Sequence, residues 1–394
     1  MINIFDKTKC CGCEACLNIC SHKCIEMKSD DEGFLYPFVN ATECINCGLC
    51  EKVCPINNKP SQNQSIKKKA AIVQHKDKEI LRQSTAGGAF TAIAQYVLEK
   101  GGIVFGARLT DEFYVEHDSV DSTNDLYLFR NSKYVQSDIN NSYRRAKEQL
   151  DSGRLVCFSG TPCQIAGFSN FLSKPYENLV LVDVVCRAVP SPGVWNKYIQ
   201  MVQSKNGKIN SVRFRDKKLG YQYSTMVIKF ENQMEKRGGI ESDPWLRMFF
   251  SGMIIRPSCT DCQFRDYHRI ADFTIWDCYN SYRIDKSIDE SVGSTRVLIH
   301  TKKGRDIFDS IKDKISYKEI SVDTAINGVK EMCVSPMIHI QRKSFFTDYD
   351  VMTMEELLQK YFPVTSTIKA KKWIRVSLNK IGLDRTIKHI MKKG

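Results

Sequence analysis

Beyond a polar, proline-containing and aperiodic stretch at 57–65, short apolar runs alternate with longer amphipathic segments. The runs at 70–74, 103–107, 155–158 and 179–185 predict strands, the last of them strongly apolar. The segments 88–100, 142–150, 163–172 and 193–202 carry helical patterns between them. Strand and helix alternating in this way predict an α/β fold with a mixed, partly parallel sheet. From residue 209 the pattern becomes richer in strands, at 211–215, 225–230, 273–276 and 296–300, and the last fifty or so residues read as helical and increasingly basic.

The first 57 residues break this pattern. Ten of the seventeen cysteines lie between Cys10 and Cys54. The start of the chain, from Met1 to Asp6, has no basic region followed by an apolar run, so a secretory signal and disulfides are not expected, and metal ligation is. Two runs carry the chemistry: Cys10-x2-Cys13-x2-Cys16-x3-Cys20 and Cys44-x2-Cys47-x2-Cys50-x3-Cys54-Pro55. Three thiolates two residues apart cover one face of a cubane, and the fourth ligand comes from the other run. One 4Fe-4S cluster is therefore expected on Cys10, Cys13, Cys16 and Cys54, and another on Cys44, Cys47, Cys50 and Cys20. Structural zinc, which favours two separated pairs, fits this spacing poorly. Cys11 and Cys24 fall outside the count, and Ser21 stands where a proline usually follows the fourth cysteine. Residues 33–38 read as a short hairpin packed over the clusters. The segment is a small α+β ferredoxin domain of the bacterial type, which passes single electrons and implies an acceptor elsewhere.

The remaining organisation follows: a linker at 58–69, a first α/β part at 70–205, a second part at 206–345 and a helical, basic tail at 346–394. The net charge is +13, but no nucleic-acid motif accompanies it, so nucleic acid is not an expected partner. No run reaches the roughly 20 apolar residues of a membrane span, and the chain reads as cytoplasmic. Residues 369–394 hold nine Lys and Arg with Trp373, Ile374, Leu378, Ile381, Ile387, Ile390 and Met391 at helical spacing. That pattern suits either a helix docked on its own core or one lying peripherally on the inner, anionic face of a membrane.

Six further motifs occur in order: Ser84-Thr85-Ala86-Gly87-Gly88, Lys133-Tyr134-Val135-Gln136-Ser137, Ser159-Gly160-Thr161-Pro162-Cys163-Gln164, Asp183-Val184-Val185-Cys186, Val212-Arg213-Phe214-Arg215-Asp216-Lys217 and Arg256-Pro257-Ser258-Cys259-Thr260-Asp261-Cys262. In these the chain resembles the β subunit of deazaflavin-coenzyme-reducing hydrogenases, in the branch with a fused N-terminal ferredoxin. The resemblance implies a flavin, usually FAD, and a third 4Fe-4S cluster in the large domain. Relatives reduce deazaflavins or chlorophyll intermediates, and some accompany exopolysaccharide synthesis. Ser84, Thr85, Gly87 and Gly88 before a helix suit a flavin diphosphate, with Lys133, Gln136 and Thr161 as further cofactor contacts. Cys259-x2-Cys262 is the nucleus of the third cluster, completed by Cys163 and Cys186; Cys278 is an alternative ligand, and Cys157 and Cys333 read as core thiols. Arg213, Arg215, Lys217, Arg269 and Asp272 are candidates for an anionic substrate, though alternate strand residues facing water give the same pattern. Arg187-Ala188 and Trp276-Asp277-Cys278-Tyr279 depart from the family near these positions, which argues against carrying over the deazaflavin.

The expected function is an iron–sulfur flavoprotein oxidoreductase. It would take electrons from a redox partner or reduced donor and pass them to an organic substrate. The alternative is an electron-transfer or accessory subunit with no organic substrate of its own.

Overall fold

The computed structural model describes residues 1–61, 67–223, 225–279 and 281–380. The N-terminal head contains α1 (Ala15–Ile19), an antiparallel hairpin of β1 (Ile25–Ser29) and β2 (Leu35–Val39), and α2 (Leu49–Lys52). The hairpin expected within 33–38 is wider: Gly33 lies in its turn and 35–39 form only its second strand, paired in register from Ile25 with Val39.

An eight-stranded mixed sheet forms the centre of the rest. Its strands are β3 (Lys69–His75), β4 (Ile103–Leu109), β5 (Val115–Val120), β6 (Val156–Gly160), β7 (Leu179–Val184), β11 (Phe273–Asp277), β12 (Thr295–Ile299) and β13 (Ile315–Ile320). The three strands omitted from that run, β8 (Ile209–Asp216), β9 (Thr225–Phe230) and β10 (Glu235–Gly239), make a separate antiparallel sheet in the order β10-β9-β8. The large sheet runs β13-β3-β12-β11-β7-β6-β4-β5. Strands β4, β6, β7 and β11 are parallel, and the outer strands pair antiparallel. Leu-Val-Leu-Val at 179–182 is buried on both faces, as a continuous apolar run in a central parallel strand should be. Strands β5, β10 and β13 were not foreseen.

Helices α3 (Lys78–Gln83), α4 (Ala89–Glu99), α5 (Ser142–Asp151), α6 (Pro162–Leu172), α7 (Pro192–Asn206) and α8 (Pro244–Phe250) follow in chain order. The apolar residues of α4 meet β3, β4 and β12 in one core. Those of α5 and α6 meet the other face, in a core that also takes in Cys11, Cys13, Ala15 and Val53 of the head. Trp195, Tyr198, Trp245 and Leu246 of α7 and α8 pack on the smaller sheet through Phe214, Met226 and Ile228.

The head is thus built into the large domain. Buried Glu14 accepts from the amides of Ile139 and Asn140 at 3.2 and 3.1 Å. Arg144 donates to the carbonyls of Leu17, Asn18 and Cys20 at 2.6–2.9 Å. Arg342 forks onto Glu32 at 2.5–2.6 Å, in a largely buried pair.

Candidate iron–sulfur and cofactor site

The loop 10–13 and α1 place the first cysteine run against α6, while α2 carries the second. Buried Cys16 is held protonated by loss of hydration, reinforced by the nearby sulfurs of Cys10 and Cys54, which brings together three of the four expected first-cluster ligands. The neighbouring Cys11 pulls the Cys13 thiol down, but burial and the nearby Cys16 outweigh it and leave that thiol raised. Cys20, Cys44, Cys47 and Cys50 line one small cavity of the head, together with Cys24. The Cys24 sulfur lies 3.4 Å from that of Cys20, and this contact is the first cause of its rise to about 12.

A further thiol-lined cavity, at the expected third cluster site, lies beyond the carboxyl ends of β6 and β7, where an α/β sheet gathers its ligands. Cys163, Cys186, Cys259 and Cys262 line it, with Ala188, Ser258 and Arg269. Cys163 is presented by the first turn of α6. There Pro162 is preset for a helix start, and Gln164 reaches back to the Thr161 amide at 2.9 Å. The Thr161 hydroxyl lies 3.2 Å from the Cys163 sulfur. Cys186 follows β7, and Cys259 lies in the short helical turn 257–261. Burial holds Cys259 at about 12 and raises Cys186 well above an ordinary thiol, with the sulfurs of their neighbours adding to both. Protonated thiols crowded out of water are a poor resting state, and deprotonation onto a metal cluster removes that conflict. The donor chemistry of both cavities, and of the Cys10, Cys16 and Cys54 group, therefore fits iron–sulfur clusters. Among the described residues, no three His, Cys, Asp or Glu side chains close tightly enough for a single ion; thiolates around a cubane stand further apart.

The other cysteines divide. Cys157 is fully buried in β6 as expected, and Cys278 is buried beside Arg296, at 3.4 Å, away from the third cluster site. Cys333 is exposed, so it is not a core thiol: it ends a short helix of which Met332 is the buried member.

The seven expected cofactor contacts do not form one site. Thr161 lies beside Cys163 of the third cluster site, and Gln136 reaches the head. The Gln136 side chain donates to the carbonyls of Cys11 and Gly12 at 3.3 and 3.2 Å and accepts from Arg256 at 3.0 Å. Ser84 caps α3 through Ile80 O at 2.7 Å, and the Thr85 hydroxyl accepts from Ser132 N at 2.7 Å. The Gly87 amide donates to the Thr295 hydroxyl at 2.8 Å, and Gly88 starts α4.

Beside this loop sits a group of cations. Lys133 donates to the carbonyls of Leu128 and Arg130 at 2.7 and 3.0 Å. Lys217 donates to Leu81, Ala86 and Val292 carbonyls at 2.6–2.7 Å. Neither has a carboxylate within ion-pair distance among the described residues. Loss of hydration brings Lys133 down to about 7, with Arg213 helping; it brings Lys217 to about 7 despite Asp277. Arg130 and Arg213 both donate to Gln83; the Arg130 Nε has no hydrogen-bond partner among the described residues, whereas the Arg213 Nε faces Asp216 at 3.8 Å. Cations held out of water against neutral groups call for an anion. A diphosphate fits that need, and Lys133, with two of three donors used, is the best-placed contact.

The residues considered for an anionic substrate also divide. Arg215 pairs with Asp277 at 3.0 Å and donates to Tyr134 and Tyr279, so the unusual 276–279 segment supplies its partners. Arg269 faces buried Asp183 at 3.7 Å, and Asp272 accepts from Leu181 N at 2.9 Å; both brace the strands. Arg130 and Arg256 escaped the sequence reading as functional candidates, since neither stands in a spacing that marks a ligand.

These sites define an α/β iron–sulfur protein. Residues 153–324 match the family described as the C terminus of the coenzyme F420 hydrogenase/dehydrogenase beta chain, and residues 9–58 match the 4Fe-4S dicluster domain. The chain thus carries one segment similar to a dicluster domain and, after it, one similar to the C-terminal domain of that β-subunit family. No curated protein is similar enough to match. A solved structure of the F420-reducing [NiFe] hydrogenase complex from Methanosarcina barkeri aligns over 78% of this chain and 97% of that chain, with 16% identity and a TM-score of 0.45. No described helix is long and apolar enough to cross a membrane. In the helix Ser366–Lys380, Trp373 is 72% exposed while Arg375 pairs with Glu241; Ile381, Ile387, Ile390 and Met391 lie outside the described residues.

Proposed function

We propose that the chain is a flavin-dependent iron–sulfur oxidoreductase that takes single electrons from a redox partner and delivers them in pairs to an organic substrate. The observation that carries this reading is the presence of two separate thiol-lined cavities and a third group of thiols, Cys10, Cys16 and Cys54, together with part-buried Lys133 and Arg130, which have no carboxylate within ion-pair distance among the described residues. Cys10, Cys13, Cys16 and Cys54 would hold one 4Fe-4S cluster, Cys20, Cys44, Cys47 and Cys50 another, and Cys163, Cys186, Cys259 and Cys262 a third. Lys133, Arg130 and Arg213, with the 84–88 loop, would hold the flavin phosphates. When bound, clusters supply one-electron transfer and a flavin couples it to two-electron chemistry. The protein's own contribution is to position these groups and keep water from them. Cys47 is exposed beside exposed Ile45 and Leu49, and there a one-electron donor would meet the head.

The direct test is anaerobic purification with iron, sulfide and flavin measured on one sample. About twelve iron atoms and one flavin per chain are expected. About eight iron atoms and no flavin would leave an electron carrier or accessory subunit.

The cation group adds a pH dependence. Lys133 and Lys217 titrate near 7 in the folded chain, below the ordinary lysine value, so the unfolded chain holds more protons above that pH. Stability of the flavin-free protein should therefore rise with pH from about 7 towards the ordinary lysine range. Binding of a flavin diphosphate needs the charged lysines, so FAD affinity should fall above pH 7, by up to about tenfold per pH unit for each lysine engaged. Titration calorimetry with FAD and with riboflavin, which carries no phosphate, separates the cases. A flat FAD profile, or the same slope for riboflavin, would remove these lysines from the phosphate site.

A further inference from the structure

The basic helix Ser366–Lys380 takes no part in the proposed electron path, and its two faces differ in kind. We propose that its outward face is a docking surface for an anionic phospholipid bilayer, which holds the chain at a membrane surface without a crossing helix. This goes beyond the electron-transfer reading and does not depend on it.

The inward face is fixed by polar contacts. Ile368, Lys372, Arg375 and Val376 stand at positions i, i+4, i+7 and i+8 of one helical stripe, and all are half-buried. Lys372 donates to the Arg237 carbonyl at 2.9 Å. Arg375 pairs with Glu241 at 3.1 Å, and its guanidinium lies over the Tyr223 ring at 4.4 Å. These contacts set the rotation of the helix about its own axis. A helix docking by apolar burial would turn its largest apolar side chain inward. This one holds Trp373 outward, 72% exposed, and leaves Ile374 49% exposed.

Taken round the axis at about 100° per residue, the exposed positions between 369 and 374 run Lys369, Trp373, Ala370, Ile374, Lys371. An apolar stripe is thus edged by a lysine on either side. That order suits a helix lying in a bilayer interface. The tryptophan and isoleucine enter the boundary below the headgroups, while the lysine stems let their ammonium groups reach the phosphates. The charge agrees with this. The helix holds Lys369, Lys371, Lys372, Arg375 and Lys380 and no Asp or Glu, and Lys369 and Lys371 make no ion pair among the described residues. The phosphates of a nucleic-acid duplex would take the lysines but leave the stripe between them in water, so the stripe favours lipid.

The test uses the full chain, purified anaerobically, in sedimentation with two kinds of vesicle: phosphatidylglycerol and phosphatidylcholine in equal parts, and phosphatidylcholine alone. The parent should sediment with the anionic vesicles and stay in solution with the neutral ones, and added salt should release it. Trp373→Ala should weaken binding by about tenfold. Lys369→Gln and Lys371→Gln should each weaken it by about fivefold, the share of one lysine near an anionic surface. All three side chains are exposed, so iron content and Tm, measured on every variant, should stay at the parent's values. A Lys78→Gln/Lys302→Gln variant, changed at two exposed lysines outside this helix, should bind as the parent does. Equal weakening in that variant would overturn the proposal, because net charge alone would then carry the binding. Trp373→Ala binding as tightly as the parent would overturn it as well, leaving a general attraction to polyanions such as nucleic acid. A parent that stays in solution with both vesicles would assign this face to a protein partner instead.

Discussion

Replacing Arg256 by methionine is expected to cost the folded protein about 3–5 kcal/mol, the range for removing one member of a buried charged network. The guanidinium has no solvent exposure, and each of its nitrogens donates: Nε to the Cys10 carbonyl, Nη1 to Gln136 and Nη2 to the Leu35 carbonyl at 2.9 Å. It also stacks on the Tyr36 ring at 4.2 Å. Methionine can fill much of the volume but leaves two carbonyls and an amide oxygen buried without donors, and each such group carries a desolvation penalty of about 1–3 kcal/mol. The lost contacts join the head to the large domain, so the damage should be local to that junction. Anaerobic thermal unfolding should show an apparent Tm lower by roughly 5 °C or more, with faster iron release from the head. Lysine at this position keeps the charge but not the planar fork, so it should recover only part of the loss. A methionine variant with the parent's Tm and iron retention would show that the head is held by its other contacts alone.

Arg256 also shows where sequence reading stopped. The cysteine runs were legible because a cubane dictates ligand spacing within a few residues, and the match to a 4Fe-4S dicluster domain spans both of them. The alternation of strands and helices was legible because burial imposes a period on each element, and β7 is as apolar as a central parallel strand must be. What escaped is long-range. Gln136 meets Gly12 across 124 positions and Arg256 meets Cys10 across 246, and no local pattern encodes such pairs. Strand β5 was missed because its polar residues, Glu116 and Asp118, engage Arg108 and Arg145 and so blur the alternation.

The 84–88 loop is the sharpest case, because its glycines invite a phosphate reading that its packing does not require. A Cβ on Gly87 would stand 2.0 Å from the Val73 carbonyl oxygen and 2.5 Å from the Thr295 amide nitrogen. Both are backbone atoms of paired strands in the sheet, so neither can step aside as a flexible side chain would. The same residue gives its carbonyl to the His75 amide at 2.7 Å and its own amide to Thr295. Gly87→Ala should therefore destabilise the fold by at least about 3 kcal/mol, beyond the usual range for overpacking because the obstruction is main chain. The expected result is a sharp fall in soluble, cluster-bearing protein. Lys133→Met touches only two carbonyls and should leave folding and iron content near the parent's while weakening FAD binding by about tenfold, as one charge-assisted contact is lost. The two variants separate the two meanings of the loop. If Gly87→Ala folds normally and loses only its flavin, then bare backbone at 87 serves the phosphate directly; if it fails to fold while Lys133→Met folds and loses affinity, the glycine serves the sheet and the buried cations serve the ligand.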